Sequence, residues 1–291
     1  MNGDMSREMR GAGGATMVTL RRCVVTVALA VKRVTRPIRG YGPHPWRRGF
    51  PWFDEPQRLA IAAAVVVAVF VTGMILIDAA APNAVQRLPH GVVWFFDTIT
   101  DFGKSGWFLW PLGIFFLALA ALPRTLSAMS RAVVAALMVR VGFLFIAIGA
   151  PGLFASIVKN MIGRARPGVG GSVNPYLFDP FHWTPAYAGL PSGHATAAFA
   201  ALAAIGTLFP RARTVLLIYA LLIAASRIVV RAHYPTDVAA GALVGIVGVL
   251  LVRRWFALQR LGFSIRPDGL LAQYPGPSLR HIKSVARELL A

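Results

Sequence analysis

Between residues 58 and 254 the chain alternates long apolar stretches with short polar turns. A helix rises about 1.5 Å per residue, so about 20 apolar residues are needed to cross a hydrocarbon core of about 30 Å. Residues 59–77 supply nineteen positions without a charge. Comparable stretches follow at 106–123, 132–158, 192–209, 214–230 and 238–252. Turn and charge signals such as Pro123-Arg124, Pro210-Arg211 and Arg253-Arg254 end three of them. This pattern predicts an all-α membrane protein, a six-span transmembrane helical bundle. Pro111 predicts a kink near the start of the second span. The third span is long enough to tilt, and its Arg140 is expected to snorkel toward the cytoplasmic interface. Residues 78–105 read as a mixed loop whose Val92, Val93, Trp94, Phe95 and Phe96 lie in the membrane interface. Residues 159–189 form the longest internal loop.

The flanks differ from this body. Residues 1–57 are basic and rich in Gly and Pro, and they read as a cytoplasmic N-terminal tail. Their one apolar run, 23–31, is nine residues long, too short to span, and is expected to lie on the surface or stay without regular structure. Residues 58–254 are the six-span domain. Residues 255–291 read as a cytoplasmic tail, whose Leu279, Ile282, Val285, Ala286 and Leu289 form a helical stripe typical of an amphipathic surface helix.

Composition supports membrane embedding. The chain is 56% hydrophobic and 14% charged, whereas soluble domains carry roughly 25% charged residues. The net charge of +19 would suggest nucleic acid on a soluble protein. Here no soluble domain is left to read one, so no nucleic-acid partner is expected and the charge is assigned to the bilayer. Cys23 is the single cysteine, which excludes an intramolecular disulfide and a cysteine metal cluster. With both termini on one side, that side carries eleven Lys and Arg up to and including Arg58, two in each of two turns and seven from Arg253 onward. The opposite loops carry two, three and two. The positive-inside rule then places both termini in the cytoplasm of a multi-pass protein of the cell inner membrane.

The polar residues on the outer, periplasmic side form a pattern. Lys159 and Arg166-Pro167 close the third span, Pro191-Ser192-Gly193-His194 opens the fourth, and Ser226-Arg227, His233 and Asp237 join the fifth to the sixth. Three of the seven basic residues on that side belong to this cluster, against the charge bias. Phosphoryl transfer requires a dianion to be held while charge spreads over its equatorial oxygens. Lys159, Arg166 and Arg227 supply three cations, two of them with the planar fork that suits phosphate. Ser192 and Gly193 begin a helix, where free N–H groups bind anions and glycine permits close approach. Of two histidines, one can attack phosphorus while the other protonates the leaving oxygen and then activates water. Asp237 follows His233 by four residues, a spacing that allows it to hold the imidazole, although Pro235 favours a turn over a regular helix there. His194 has no carboxylate near it in sequence and suits the acid–base role. Three cations make a metal unnecessary, and no cofactor is expected. No His-Glu-x-x-His spacing occurs.

Lys159 with Arg166-Pro167, then Pro191–His194, then Ser226-Arg227 with His233 and Asp237, resemble the three signature motifs of the type 2 phosphatidate phosphatase superfamily, which also includes vanadate-dependent haloperoxidases and glucose-6-phosphatase. All three are complete and in the family order. The resemblance implies His233 as nucleophile, Asp237 as the residue that orients it and His194 as acid–base. It also implies Lys159, Arg166, Ser192, Gly193 and Arg227 as phosphate ligands.

Other residues carry weaker signals. Taken singly, the motif residues could be helix caps or interfacial anchors; their joint occurrence on one side of the membrane favours a phosphate site. Arg164 and Arg231 lie beside motif residues and are candidate headgroup contacts. Asp179 and His182 lie in the long loop, and His44, His90 and His281 read as incidental. Tyr176, Phe178, Phe181, Trp183 and Tyr187 are expected to shape the substrate entrance. The function expected is an integral membrane phosphatase that hydrolyses a lipid phosphomonoester or pyrophosphate through a phosphohistidine, without metal. The alternatives are a lipid phosphotransferase using the same site and a non-catalytic lipid-binding or transport protein. The substrate and partner is a membrane lipid phosphate within the bilayer.

Overall fold

The computed structural model describes residues 56–123, 125–171, 173–266 and 268–290. The expectations for residues 1–55 lie outside the described residues. Helix α1 spans Pro56–Gly73 and continues through a wider π-helical turn, Met74–Asp78. The short α2 is Ala81–Val85 and α3 is His90–Thr100. A tight turn, Asp101–Gly103, leads into α4, Gly106–Ala121. The long α5 is Ala128–Ile162, α6 is Gly193–Leu208, α7 is Arg213–Val229 and α8 is Pro235–Leu258. A two-stranded antiparallel hairpin, β1 Phe263–Ile265 and β2 Leu271–Gln273, pairs Ser264 with Ala272. Helix α9 closes the chain at Leu279–Leu290.

Among the described residues, five segments are long and apolar enough to cross a membrane: Pro56–Asp78, His90–Ala121, Ala128–Ile162, Pro210–Val229 and Pro235–Leu258. The fourth expected span forms α6, whose 16 residues fall short of that length. It forms the axis of the bundle, packed against α5, α7 and α8. Its sequence explains this position. Ala195, Ala197, Ala198, Ala200, Ala201 and Ala204 are all buried, and their small side chains let neighbouring helices approach closely. On α8 the matching residues are glycines. A methyl group on Gly241 would lie 2.4 Å from the Ser192 carbonyl oxygen, and one on Gly245 would lie 2.6 Å from that of Thr196. One helical turn further on, Gly248 faces Pro151 inside α5. Phe143, Ile148, Val249, Phe256 and Phe263 fill the core beyond the alanines.

Three regions differ from the sequence expectation. Residues 78–105 are largely helical, because Pro89 caps an aromatic and β-branched run that packs as α3 against α7. Arg140 does not depend on snorkelling. Its guanidinium donates to the carbonyls of Ala136, Tyr274 and Pro275 at 2.8–3.0 Å and so ties the chain after β2 to α5. The all-α expectation misses the hairpin, which Arg253 anchors by donating to the Leu271 carbonyl at 2.8 Å. The apolar stripe near the C-terminus forms α9, as its spacing predicts. Its Val285 is buried with Val133, Val134 and Val141 of α5, and Glu288 accepts from Ser127 and Ser130 at the start of α5.

The α6–α8 contact gives a direct test. Gly245→Ala forces the two backbones apart and is expected to cost about 1–3 kcal/mol, the range for overpacking. It should lower the unfolding midpoint in detergent and reduce activity with it. Gly152→Ala is the control, because a methyl group there meets nothing within 4 Å. Equal midpoints for the two variants would show that close α6–α8 approach is not needed.

Candidate active site

The motif residues come together at one end of the bundle, where α5 and α7 finish and α6 and α8 begin. Helix α5 stops at Gly163, whose φ of +64° is left-handed and where a methyl group would lie 1.8 Å from the Asp179 carbonyl oxygen. The chain then folds back on itself. Ala165 N–H donates to Leu177, Arg166 N–H to Ala186 and Gly189 N–H to Arg164, all at 2.9 Å. These bonds fold Arg166 back toward the end of α5 that carries Lys159. The loop ends at a cis Leu190–Pro191 bond, and Ser192 then starts α6 in an extended conformation.

His233 sits in the turn between α7 and α8, its backbone N–H bonded to the Arg227 carbonyl at 3.1 Å. Its side chain is buried, and Nδ1 donates to the Gly189 carbonyl at 2.8 Å. A carbonyl can only accept, so Nδ1 carries the proton and the Nε2 lone pair is free. Asp237 stands farther away, with Oδ2 3.8 Å from His233 Nδ1. Its closer partners are the Tyr234 N–H at 2.9 Å and Arg164 at 2.6 Å. The hydrogen bond that orients the imidazole therefore comes from a backbone carbonyl, and Asp237 contributes charge at longer range. Burial holds the His233 imidazole below its ordinary pKa, and the Asp237 carboxylate opposes that shift.

His194, half-buried in the first turn of α6, is within electrostatic range of His233, Arg166, Arg227 and Lys104. Gly103 packs against it: a methyl group there would lie 3.0 Å from the imidazole Cδ2 and 2.6 Å from Ile223. Arg227 donates to the Thr100 hydroxyl at 2.6 Å, which lies 3.0 Å from Ser226 Oγ. Ser192 Oγ, Arg166 Nε and Arg227 Nε are buried with no hydrogen-bond partner in the protein. In front of Gly193 a methyl group would meet nothing within 4 Å. Unpartnered donors on Ser192, Arg166 and Arg227 and open space before Gly193 are features suited to a tetrahedral oxyanion.

Arg164 is not a headgroup contact. It is wholly buried, with ion pairs to Asp78 at 2.8 Å and Asp237 at 2.6 Å. It also donates to the Thr236 hydroxyl at 2.8 Å and the Pro175 carbonyl, and its guanidinium lies 4.6 Å from the centre of the Tyr234 ring. Asp78 accepts as well from the backbone and hydroxyl of Thr236. Asp78, Thr100, Gly103 and Gly189 escaped the sequence reading. Only Asp78 left a signal, as the carboxylate that ends an uncharged span. The exposed rings of Tyr176, Phe181 and Trp183 do not line the cavity beside the site. The same loop reaches that cavity through residues 166–169 and 185–186. Asp179 pairs with His182, which stacks on Tyr187 at 4.7 Å.

Residues 140–261 match the model of the PAP2 superfamily. A lipid A 1-phosphatase from Rhizobium johnstonii is 33% identical over 77% of this chain and 91% of its own length. The chain belongs to the PAP2 superfamily. A lipid A 1-phosphatase from Rhizobium etli is 32% identical over 74% of this PAP2 protein and 92% of its own length. The crystal structure of Aquifex aeolicus LpxE overlaps with a TM-score of 0.44 at 23% identity, covering 61% of this chain and 94% of that one. With its membrane-spanning helices and these relatives, the protein is an enzyme, a membrane lipid phosphatase.

Two outcomes follow from this geometry. Arg164→Gln leaves two buried carboxylates without their cation and is expected to cost about 3–5 kcal/mol, read as a lower unfolding midpoint in detergent. An unchanged midpoint would remove the pair as the link between α1 and α8. Because burial lowers the His233 pKa, its neutral form should persist below the ordinary imidazole value of about 6.5. Ring-labelled NMR titration should place its midpoint below that of a free imidazole, and a midpoint at or above about 6.5 would contradict the assignment.

Proposed function

We propose that this PAP2 protein hydrolyses a phosphomonoester on a lipid headgroup at the outer face of the inner membrane, through a phosphohistidine on His233 and without a metal. The observation that carries this reading is the His233 Nδ1 bond to Gly189, which leaves Nε2 as a nucleophile beside the cationic cluster. Lys159, Arg166, Arg227, Ser192 and the backbone at Gly193 bind the phosphoryl oxygens. Nε2 attacks phosphorus and the bond to the lipid oxygen breaks. His194 gives that oxygen its proton, so the lipid leaves as an alcohol. His194 then takes a proton from water, which attacks the phosphohistidine and releases inorganic phosphate. The Asp237 charge, 3.8 Å away, stabilises the positive imidazole of the intermediate. Three cations neutralise the phosphoryl group, so chemistry needs no divalent ion.

The names of the two Rhizobium relatives point to the 1-phosphate of lipid A as the substrate to test first. In the six-span arrangement α6 is the fourth crossing, both termini are cytoplasmic and residues 1–57 form a basic tail.

A phosphoenzyme experiment separates the roles. With a radiolabelled aryl phosphate, whose leaving group needs no acid, His194→Ala should accumulate an acid-labile, base-stable phosphoenzyme, because water is no longer activated. His233→Ala should form none. Label retained in His233→Ala would move the nucleophile elsewhere. Wild-type phosphate release from lipid A should also survive EDTA; its loss on chelation, with recovery on adding a divalent ion, would refute the metal-free reading.

A further inference from the structure

A cavity of about 630 Å³ opens beside the phosphate site, within the size range of small-molecule pockets. Arg166 and Arg231 line it together with Pro167, Val169, Pro185 and Val230. It therefore shares one cation with the catalytic cluster and adds a second that the mechanism does not use. Arg231 has a φ of +54°, a left-handed conformation that glycine adopts without strain and arginine does not. The guanidinium is nevertheless held in place. With its carboxamide oxygen turned toward it, Gln86 after α2 accepts from both terminal nitrogens at 3.2 and 3.3 Å. The Arg231 Nε is buried and has no hydrogen-bond partner. A positioned cation with a donor to spare, in an open depression bordered by prolines and short aliphatic side chains, is placed to receive an anion.

We infer that Arg231 is a specificity-determining residue: it binds a second anionic group of the substrate headgroup, carried on the same molecule as the scissile phosphate, within the cavity it shares with Arg166. This rests on the phosphatase reading above. The substrate class it selects is a lipid phosphomonoester whose polar headgroup bears a further phosphate or carboxylate. A lipid with a single phosphate occupies the catalytic cluster and leaves Arg231 unengaged.

The test uses the full-length enzyme in detergent and two glycolipid phosphomonoesters that differ only in a second phosphate on the sugar. Inorganic phosphate is measured and the cleaved position identified by mass. Wild type should prefer the doubly phosphorylated lipid through a lower KM. Arg231→Gly suits the backbone conformation and so keeps the fold. It should reduce the ratio of kcat/KM between the two lipids about ten-fold, the loss of one charge-assisted contact, through KM rather than kcat. Arg231→Lys should restore much of the ratio. An unchanged ratio in folded Arg231→Gly, or no wild-type preference between the lipids, overturns the assignment and leaves the phosphatase reading standing. Absence of wild-type release from either lipid removes both.

Discussion

A buried arginine between two buried carboxylates holds the structure at its functional end. Arg164 joins Asp78, at the end of the first membrane helix, to Asp237, at the start of the last. Burying one such charge is costly, and three are tolerated only because each is paired and its remaining hydrogen-bonding capacity is used. Thr236, Tyr234 and the Pro175 carbonyl complete that coordination. Helix α1 buries no side chain of its own before Asp78, so this polar contact, more than apolar packing, fixes where it ends. The same contact sets the first turn of α8, because Asp78 and Asp237 take up N–H groups that a helix start leaves free.

From that fixed point the catalytic cluster is assembled by backbone as much as by side chains. The loop after α5 is stitched along Arg164, Ala165 and Arg166, which delivers Gly189 to His233. Glycine is required at 189 because a methyl group would lie 2.8 Å from the Arg164 carbonyl oxygen. The Ser192 N–H donates to the Asp237 carbonyl at 2.9 Å, locking the start of α6 to that of α8. One residue therefore touches both layers of the site: the side chain of Asp237 sets the electrostatics, and its main chain sets the helix that carries His194.

Much of this was legible in the sequence, for definite reasons. Membrane helices declare themselves because hydrocarbon admits few charges, and the motif residues that gather at one end of the bundle stand out because their types and spacings recur together. Geometry between distant segments was not legible. Arg164 and Arg166 differ by two positions, yet one is buried in ion pairs and the other lines the open cavity beside His233; composition cannot tell them apart. Thr100 and Gly103 look like ordinary loop residues until folding sets them against Arg227 and His194. The partner of His233 was hidden for another reason, since a backbone carbonyl belongs to every residue type. The central position of α6 was hidden because its alanines look like lipid-facing residues, although neighbouring helices cover them.

The carbonyl that holds His233 has an evolutionary consequence. A side-chain acceptor can be lost in one codon change, but an acceptor on the main chain survives every substitution at its own position. Sensitivity is transferred to whatever places that carbonyl, here the missing Cβ of Gly189 and the strand-like contact of its neighbours. Natural variation in this enzyme should therefore be constrained at a residue with no functional group at all, and a search for catalytic residues by chemical type would pass over it.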